Sequence, residues 1–414
     1  MEYGCIGEHL SHSFSKEIHA HLADYSYELC EVAKDRLDAF MTARDFRAIN
    51  VTIPYKQDVI PHLYEISPEA KAIGAVNTIV NRDGRLYGYN TDFYGICAAL
   101  SRMGFARLDG KKVLILGTGG TSRTARAVAE HLGAKEILRV SRSGKDGAIT
   151  YEEAIEKHAD ADFLFNTTPA GMYPNTDATP IDLTHFNHLC GVFDAVYNPL
   201  RTRLVTDARA RGIRAECGLF MLVAQAFRAV EIFLDKTLPE SLLEETFEKV
   251  FGDKENIILI GMPSSGKSTV GRALAAALSR PFFDSDDEIV KNEGTSISDI
   301  FASRGENAFR DAESNVIAAL AAQTGAVIAT GGGAILRDEN VARLKQNGKL
   351  VFLDRPLSDL LPTPDRPTAS NAAAIEQRYH ERYDRYCACA DVRIEGAKGK
   401  ISHTVSIIRK ELSL

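Results

Sequence analysis

Positive charge is scarce in this chain. Its 49 lysines and arginines are outnumbered by 56 acids, and the net charge of -7 argues against a nucleic-acid footprint, so any anionic ligand must be held by local cations. The seven cysteines are an odd count, scattered apart from Cys387 and Cys389; neither a disulfide framework nor a CxxC metal pair emerges, which points to a reducing compartment. Long apolar runs are missing too. None approaches the roughly 18 residues that span a bilayer, and the opening MEYGCIGEHLSHSF lacks the basic start and apolar centre of a signal peptide. These absences lead to the expectation of a soluble, cytoplasmic protein with no nucleic-acid or membrane partner. What is present is globular: 45% hydrophobic and 25% charged residues over 414 positions, enough for two or three domains of about 150 residues.

The most informative stretch is IILIGMPSSGKSTVGRALAAAL, residues 257–278. An apolar strand runs into Gly261, Ser264, Ser265, Gly266, Lys267, Ser268 and Thr269, and then into a helix rich in Ala and Leu. GxxxxGK[ST] in that setting is a phosphate cradle. Its glycines let backbone N–H groups face a phosphate, Lys267 neutralises charge and Ser268 is placed to hold Mg²⁺. Such loops usually open a domain, so the residues before it must form something complete.

Those residues alternate short apolar runs with polar stretches. In SHSFSKEIH, Ser13 and Ser15 suit either one ligand or the cap of a following helix, capping being the simpler reading. His9, His12, His19 and His21 lie close together but lack a cysteine or acid at ligand spacing, which disfavours a metal. NVTIPYK, GAVNT and GYNTD each place polar groups at strand ends, as if one crevice collected them. Lys56 and Asp92 stand out as a pair able to pass a proton near neutral pH, or equally as a surface ion pair of little consequence. From Lys111, KKVLILGTGGTSRTARAVAEHLGA is close to a dinucleotide fingerprint: Gly117, Gly119 and Gly120 supply the turn, although Ser122 stands at the third glycine. After the next strand, EILRV, the text reads Ser141, Arg142, Ser143 where NAD binders carry an acid; an arginine there favours a 2′-phosphate, hence NADP, unless Arg142 is only a loop cation. GLFMLVAQAFRAVEIF is an apolar helix carrying one amide, Gln225, and a turn GDKE at Gly252–Glu255 is the expected linker.

The motifs HSFS, NVTIPYK, GAVNT, GYNTD, GTGGTSRTA, NTTPAGM, VYNP and GLFMLVAQ, in that order, closely resemble shikimate dehydrogenase over about the first 250 residues. The resemblance implies that Lys56 and Asp92 are the catalytic pair, with Lys56 at the C3 oxygen of 3-dehydroshikimate while NADPH delivers hydride. It implies that Ser13, Ser15, Thr52, Asn77, Tyr197 and Gln225 hold the substrate, and that Asn50 braces the loop. Lys16 replaces the family's proline after the second serine, and SRS replaces its more usual Asn-Arg-Thr.

The remainder resembles shikimate kinase through the cradle, FFDSDDEI, NAFRDAE, ATGGGA and RYDRY. Here the resemblance implies Mg²⁺ at Ser268 and, through water, at Asp284, with Asp286 accepting or orienting the attacking hydroxyl, Arg310 and Arg382 on the substrate carboxylate, Gly331, Gly332 and Gly333 close to the ring, and Lys267 and Arg366 on the phosphates of ATP. One segment departs from the family: RPLSDLLPTPDRPTAS is a short, proline-rich lid in which an adenine-packing arginine is replaced near Pro362. A stiffened lid predicts a raised KM for ATP with shikimate affinity less affected.

The expected fold is α/β. A shikimate dehydrogenase-like unit of two lobes, a substrate-binding lobe over 1–102 and a Rossmann NADP lobe over 103–217, has the helices of 218–251 packing back on the first lobe. A linker at 252–256 then leads to a P-loop kinase domain over 257–414. The expected function is bifunctional, 3-dehydroshikimate being reduced and the resulting shikimate phosphorylated on its 3-hydroxyl by MgATP. The alternative is that one half senses or supports rather than catalyses, against which stands the retention of Lys56, Asp92, Lys267 and Asp286. Quinate dehydrogenase and gluconate kinase are the nearest enzymatic alternatives for the two halves; an acid near Ser141, which quinate with NAD would favour, is absent.

Overall fold

The computed structural model describes residues 1–10, 13–361, 371–395 and 400–414. Arg366, Pro362 and most of the expected lid, and His12 beside Ser13, lie outside the described residues. The chain forms two compact units, Met1–Phe251 and Gly252–Leu414.

In the first unit, β1 (Tyr3–Gly7), β2 (Tyr27–Glu31), β3 (Ala48–Val51), β4 (Glu65–Ile66), β5 (Thr78–Arg82) and β6 (Arg85–Tyr89) make one sheet in the order β2-β1-β3-β5-β6-β4. β1 lies parallel to β2 and β3, whereas β5 runs antiparallel to both β3 and β6. Arg82 faces Arg85 across a two-residue turn of Asp83 and Gly84, both with positive φ (51° and 79°), the backbone that matches strand twist in tight hairpins. A second, wholly parallel sheet follows: β7 (Lys112–Leu116), β8 (Glu136–Val140), β9 (Phe163–Asn166), β10 (Gly191–Asp194) and β11 (Arg214–Cys217), ordered β11-β10-β9-β7-β8. The order reverses at β7, so the carboxyl ends of β7 and β9 border the crevice where a doubly wound sheet binds its ligand.

The continuous apolar run of β7 has a physical cause. Val113 and Ile115 pack into the core on one face while Leu114 and Leu116 pack into the core on the other, so neither face of the strand meets water. The apolar helix Leu219–Leu234 lies against the helices Thr91–Arg102 and Ser15–Leu22, which ties it to the first sheet's elements.

In the second unit, β12 (Asn256–Ile260), β13 (Phe282–Asp284), β14 (Val327–Ala329), β15 (Gly348–Asp354) and β16 (Val392–Glu395) are parallel in the order β13-β14-β12-β15-β16. Ile258 and Ile260 serve one core, Ile257 and Leu259 the other. The turn expected at Gly252–Glu255 is instead helix as far as Lys254, the element running Glu240–Lys254. One interior glycine costs a helix about 1 kcal/mol, too little to break it without a proline. The helix end is closed by Arg280, whose guanidinium donates to the Gly252 carbonyl at 2.6 Å and the Glu255 carbonyl at 2.9 Å. Among the described residues no helix is long and apolar enough to cross a membrane.

Candidate active sites

Lys56 sits in the turns just beyond β3, and Asp92 in the first turn of the helix Thr91–Arg102, where helix-end N–H groups favour a carboxylate. Their side chains meet: Lys56 Nζ donates to Asp92 Oδ2 at 2.6 Å. The lysine side chain is 20% exposed and the aspartate 9%, so the pair is neither a solvated surface bridge nor sealed from a ligand.

A buried polar network links β3 and β5 to the helix that carries Asp92. Tyr27 donates to Asn50 Oδ1 at 2.7 Å, and Asn50 Nδ2 donates to the Asn77 carbonyl and Thr78 Oγ1. Asn77 Oδ1 accepts from the Thr91 N–H at 2.7 Å, and Thr91 Oγ1 donates to Gln225 Oε1 at 3.2 Å. Asn50, Asn77 and Gln225 are thereby held on one framework, and Asn50 braces β3 against β5. Thr52, half-buried, lies at the end of β3 so close to Gly7 that a methyl group there would come within 2.6 Å of its Cγ2.

Ser13 donates to Ser15 Oγ at 3.1 Å. Neither serine is the helix cap, because the cap position is Phe14, without a side-chain hydrogen bond; Ser13 Oγ accepts from the Ser15 N–H at 3.3 Å. Phe14, between the two serines in sequence, meets Tyr197 edge-on at 5.3 Å, and burial pushes the Tyr197 hydroxyl up from its ordinary pKa. His19 is a core residue, stacked on Tyr27 at 3.9 Å with Nδ1 2.7 Å from the Tyr25 hydroxyl, and burial lowers its pKa to about 3.

At the crevice of the parallel sheet, Gly117 adopts φ +106°, and a methyl group there would meet Thr167 Oγ1 at 2.8 Å. Gly119 caps the helix Gly120–His131, and methyl groups built on Gly119 and Gly120 meet nothing within 4 Å. That open ground at a helix N-terminus fits a pyrophosphate. Ser122 is buried and donates to the Gly117 carbonyl at 2.7 Å, so the serine at the third-glycine position ties the turn to its helix. Ser141 follows β8 and accepts from the Gly144 N–H at 3.1 Å; Arg142 beside it is exposed, within electrostatic reach of Tyr151. Sequence reasoning missed Arg123, in the first turn of the same helix. With the Gln57 amide oriented to accept, Arg123 donates to it and joins the dinucleotide helix to the residue after Lys56.

In the second unit the cradle has the expected backbone: φ is +147° at Gly261, +66° at Ser264 and +89° at Gly266, which caps the helix Lys267–Leu278. Lys267 is buried and donates to the Gly261 and Met262 carbonyls, each at 2.9 Å, with Ser265 Oγ at 3.5 Å. Thr269 follows in the first turn of that helix. Ser268 Oγ donates to Asp284 Oδ2 at 2.6 Å, the hydroxyl and carboxylate oxygens that suit Mg²⁺. Asp284 also accepts from the Asp286 N–H, which fixes the start of the next helix, Ser285–Glu293.

The three glycines after β14 are glycines for steric reasons. A methyl group on Gly331 would come within 2.6 Å of Asp286 Oδ1 and one on Gly332 within 2.9 Å of Pro263, while one on Gly333 would overlap Arg310 Nη1 outright. This loop therefore draws Asp286, the cradle and Arg310 together. Arg310 donates to Glu313 Oε2 at 2.7 Å and to Glu306, while Arg382 donates to the Gly332 carbonyl at 3.0 Å. Burial acts to lower Arg310, but Glu313 and Glu306 outweigh it and its pKa rises; Arg382 is lowered by burial, with Arg310 adding to the effect. Among the described residues Arg382 has no ion pair, so a buried cation there is ready for an anion. Glu313 and Tyr386 were missed from sequence: Glu313 orients Arg310, and Tyr386 donates to the Gly261 and Gly332 carbonyls, locking cradle to loop.

The family model described as "Shikimate dehydrogenase substrate binding domain" matches residues 5–79, and that described as "Shikimate kinase" matches residues 263–413. The chain is 41% identical to the shikimate dehydrogenase (NADP(+)) of Clostridium perfringens strain SM101 across 59% of its own length and 97% of that protein. Among solved structures it is similar to the chorismate mutase/shikimate 5-dehydrogenase fusion protein of Clostridium acetobutylicum (35% identity, TM-score 0.57, covering 60% of this chain and 96% of that one). It is also similar to the shikimate 5-dehydrogenase of Thermus thermophilus in complex with NADP(H) and shikimate (30% identity, TM-score 0.54, 60% and 99%). The chain belongs to the shikimate dehydrogenase family and carries, after that unit, a shikimate kinase domain.

Proposed function

We propose that the chain reduces 3-dehydroshikimate to shikimate with NADPH and then phosphorylates shikimate on its 3-hydroxyl with MgATP. The observation that carries the first step is the 2.6 Å contact of Lys56 with Asp92 in a partly buried setting; the second rests on the family match over residues 263–413 and the cradle within that unit.

NADPH, when bound at Gly117, Gly119 and Gly120 with Arg142 toward its 2′-phosphate, supplies the hydride. Lys56 gives a proton to the substrate oxygen as the carbonyl becomes an alcohol, and Asp92 holds the lysine in place while the lysine regains its proton from solvent. Asn77, Gln225, Thr52, Ser13, Ser15 and Tyr197 orient hydroxyls and carboxylate. In the second unit, Arg310 and Arg382 hold the shikimate carboxylate in paired forks, and Asp286 takes the proton from the attacking hydroxyl. Ser268 and Asp284 would hold Mg²⁺, and ATP, when bound, would supply the phosphoryl group. All seven cysteines are free thiols, which suits a reducing cytoplasm.

Two rates test this on one preparation. NADPH oxidation should begin on adding 3-dehydroshikimate, and ADP release on adding shikimate with MgATP. Lack of the first would remove the dehydrogenase, lack of the second the kinase.

A further inference from the structure

Arg355 was singled out by neither motif nor spacing. It follows β15, whose Phe352 pairs with Ile260 of β12, so it leaves the sheet at the edge from which the cradle springs. A methyl group on Gly266, the last glycine of the cradle, would come 3.3 Å from Arg355 Nη2. Its Nε is buried without a hydrogen-bond partner, and among the described residues the guanidinium makes no hydrogen bond or ion pair. The adjacent acid does not serve it: Asp354 Oδ2 already accepts from Arg393 at 2.9 Å and from Tyr383 at 3.1 Å. A half-buried, unpaired guanidinium is costly unless an anion arrives. The anion that a phosphate cradle is built to receive is a polyphosphate.

We propose that Arg355 is a ligand of the nucleotide phosphates, entering from the start of the segment after β15. This rests on the kinase reading above. The guanidinium's planar fork suits two phosphate oxygens, and its place at a strand end gives it a fixed origin.

The test is calorimetric binding to the full chain, with Mg²⁺, of ADP, inorganic tripolyphosphate and shikimate in turn. ADP binding by the parent chain checks the kinase reading itself, and its absence would sink both. Arg355→Ala should weaken ADP and tripolyphosphate alike, by about 10- to 100-fold, as expected for a charge-assisted hydrogen bond. Arg355→Lys should recover part of that loss, while shikimate affinity and NADPH oxidation stay at parental values. Unchanged ADP affinity overturns the proposal. So does a loss confined to ADP, which would place the contact on the base, or an equal loss for shikimate, which would mean a packing role. Should Arg355→Ala fail to fold, Arg355→Gln is judged by the same outcomes.

Discussion

Two carboxylates show how differently burial is managed within one unit. Asp92 has a lysine at 2.6 Å, whereas Asp194, fully buried at the end of β10, has only neutral donors: Thr202 at 2.7 Å, Asn166 at 2.9 Å and the Val196 N–H at 3.1 Å. Burial pushes the Asp194 carboxyl up to about 6 despite those donors. Its folded value therefore exceeds its unfolded one. The stability it contributes is full below roughly pH 4 and is lost as pH rises through about 6, at a cost on the order of 3 kcal/mol. Asp194→Asn, which keeps most of these contacts, should gain stability relative to the parent as pH rises from about 4 to 8 in urea unfolding. A pH-independent difference between the two would refute that account. For the Lys56 and Asp92 pair the expectation is kinetic. Lys56→Ala should lower kcat for 3-dehydroshikimate reduction by about 100-fold or more, the usual worth of a positioned acid, with ADP release from shikimate unaltered. Equal loss of both activities would indicate misfolding instead.

At the level of elements, the glycine loop after β14 makes a sharp prediction. Because a methyl group on Gly333 would overlap Arg310, Gly333→Ala should displace that guanidinium and raise the kinase KM for shikimate by at least about 10-fold, the scale of a lost charge-assisted contact. Initial rates against shikimate measure it, and an unchanged KM would mean Arg310 does not hold substrate. The same loop shows which parts were readable from sequence. The cradle, the dinucleotide turn and the strand-end residues are local patterns, and their backbones follow from glycine and apolar periodicity. Tyr386 and Arg123 matter through tertiary contacts, Tyr386 meeting Gly261 across 125 positions, and no spacing announces them. Glu313 lies three residues from Arg310 on one helix, a spacing that permits the pair without singling it out, and Arg355 is marked only by its nearness to Gly266 and its lack of a partner. The helix through Gly252 was misread because a glycine beside charged residues looks like a turn until its tertiary partner, Arg280, is known. Ser122 was legible as a deviation but not as a bond, since its hydroxyl reaches back to Gly117.

For the whole molecule, the chemistries proposed for the two units follow one another: the alcohol proposed to form at Lys56 in the first would be the nucleophile beside Asp286 in the second. Each unit has its own sheet of nucleotide-binding type and its own cores, so substitutions in one unit should leave the other's activity as an internal control. The most direct measurement of the central claim supplies the purified chain with 3-dehydroshikimate, NADPH and MgATP in one vessel and identifies the products by mass spectrometry. Shikimate 3-phosphate, with shikimate as a transient, is the predicted result; unchanged 3-dehydroshikimate, or shikimate that accumulates without phosphorylation, would contradict it.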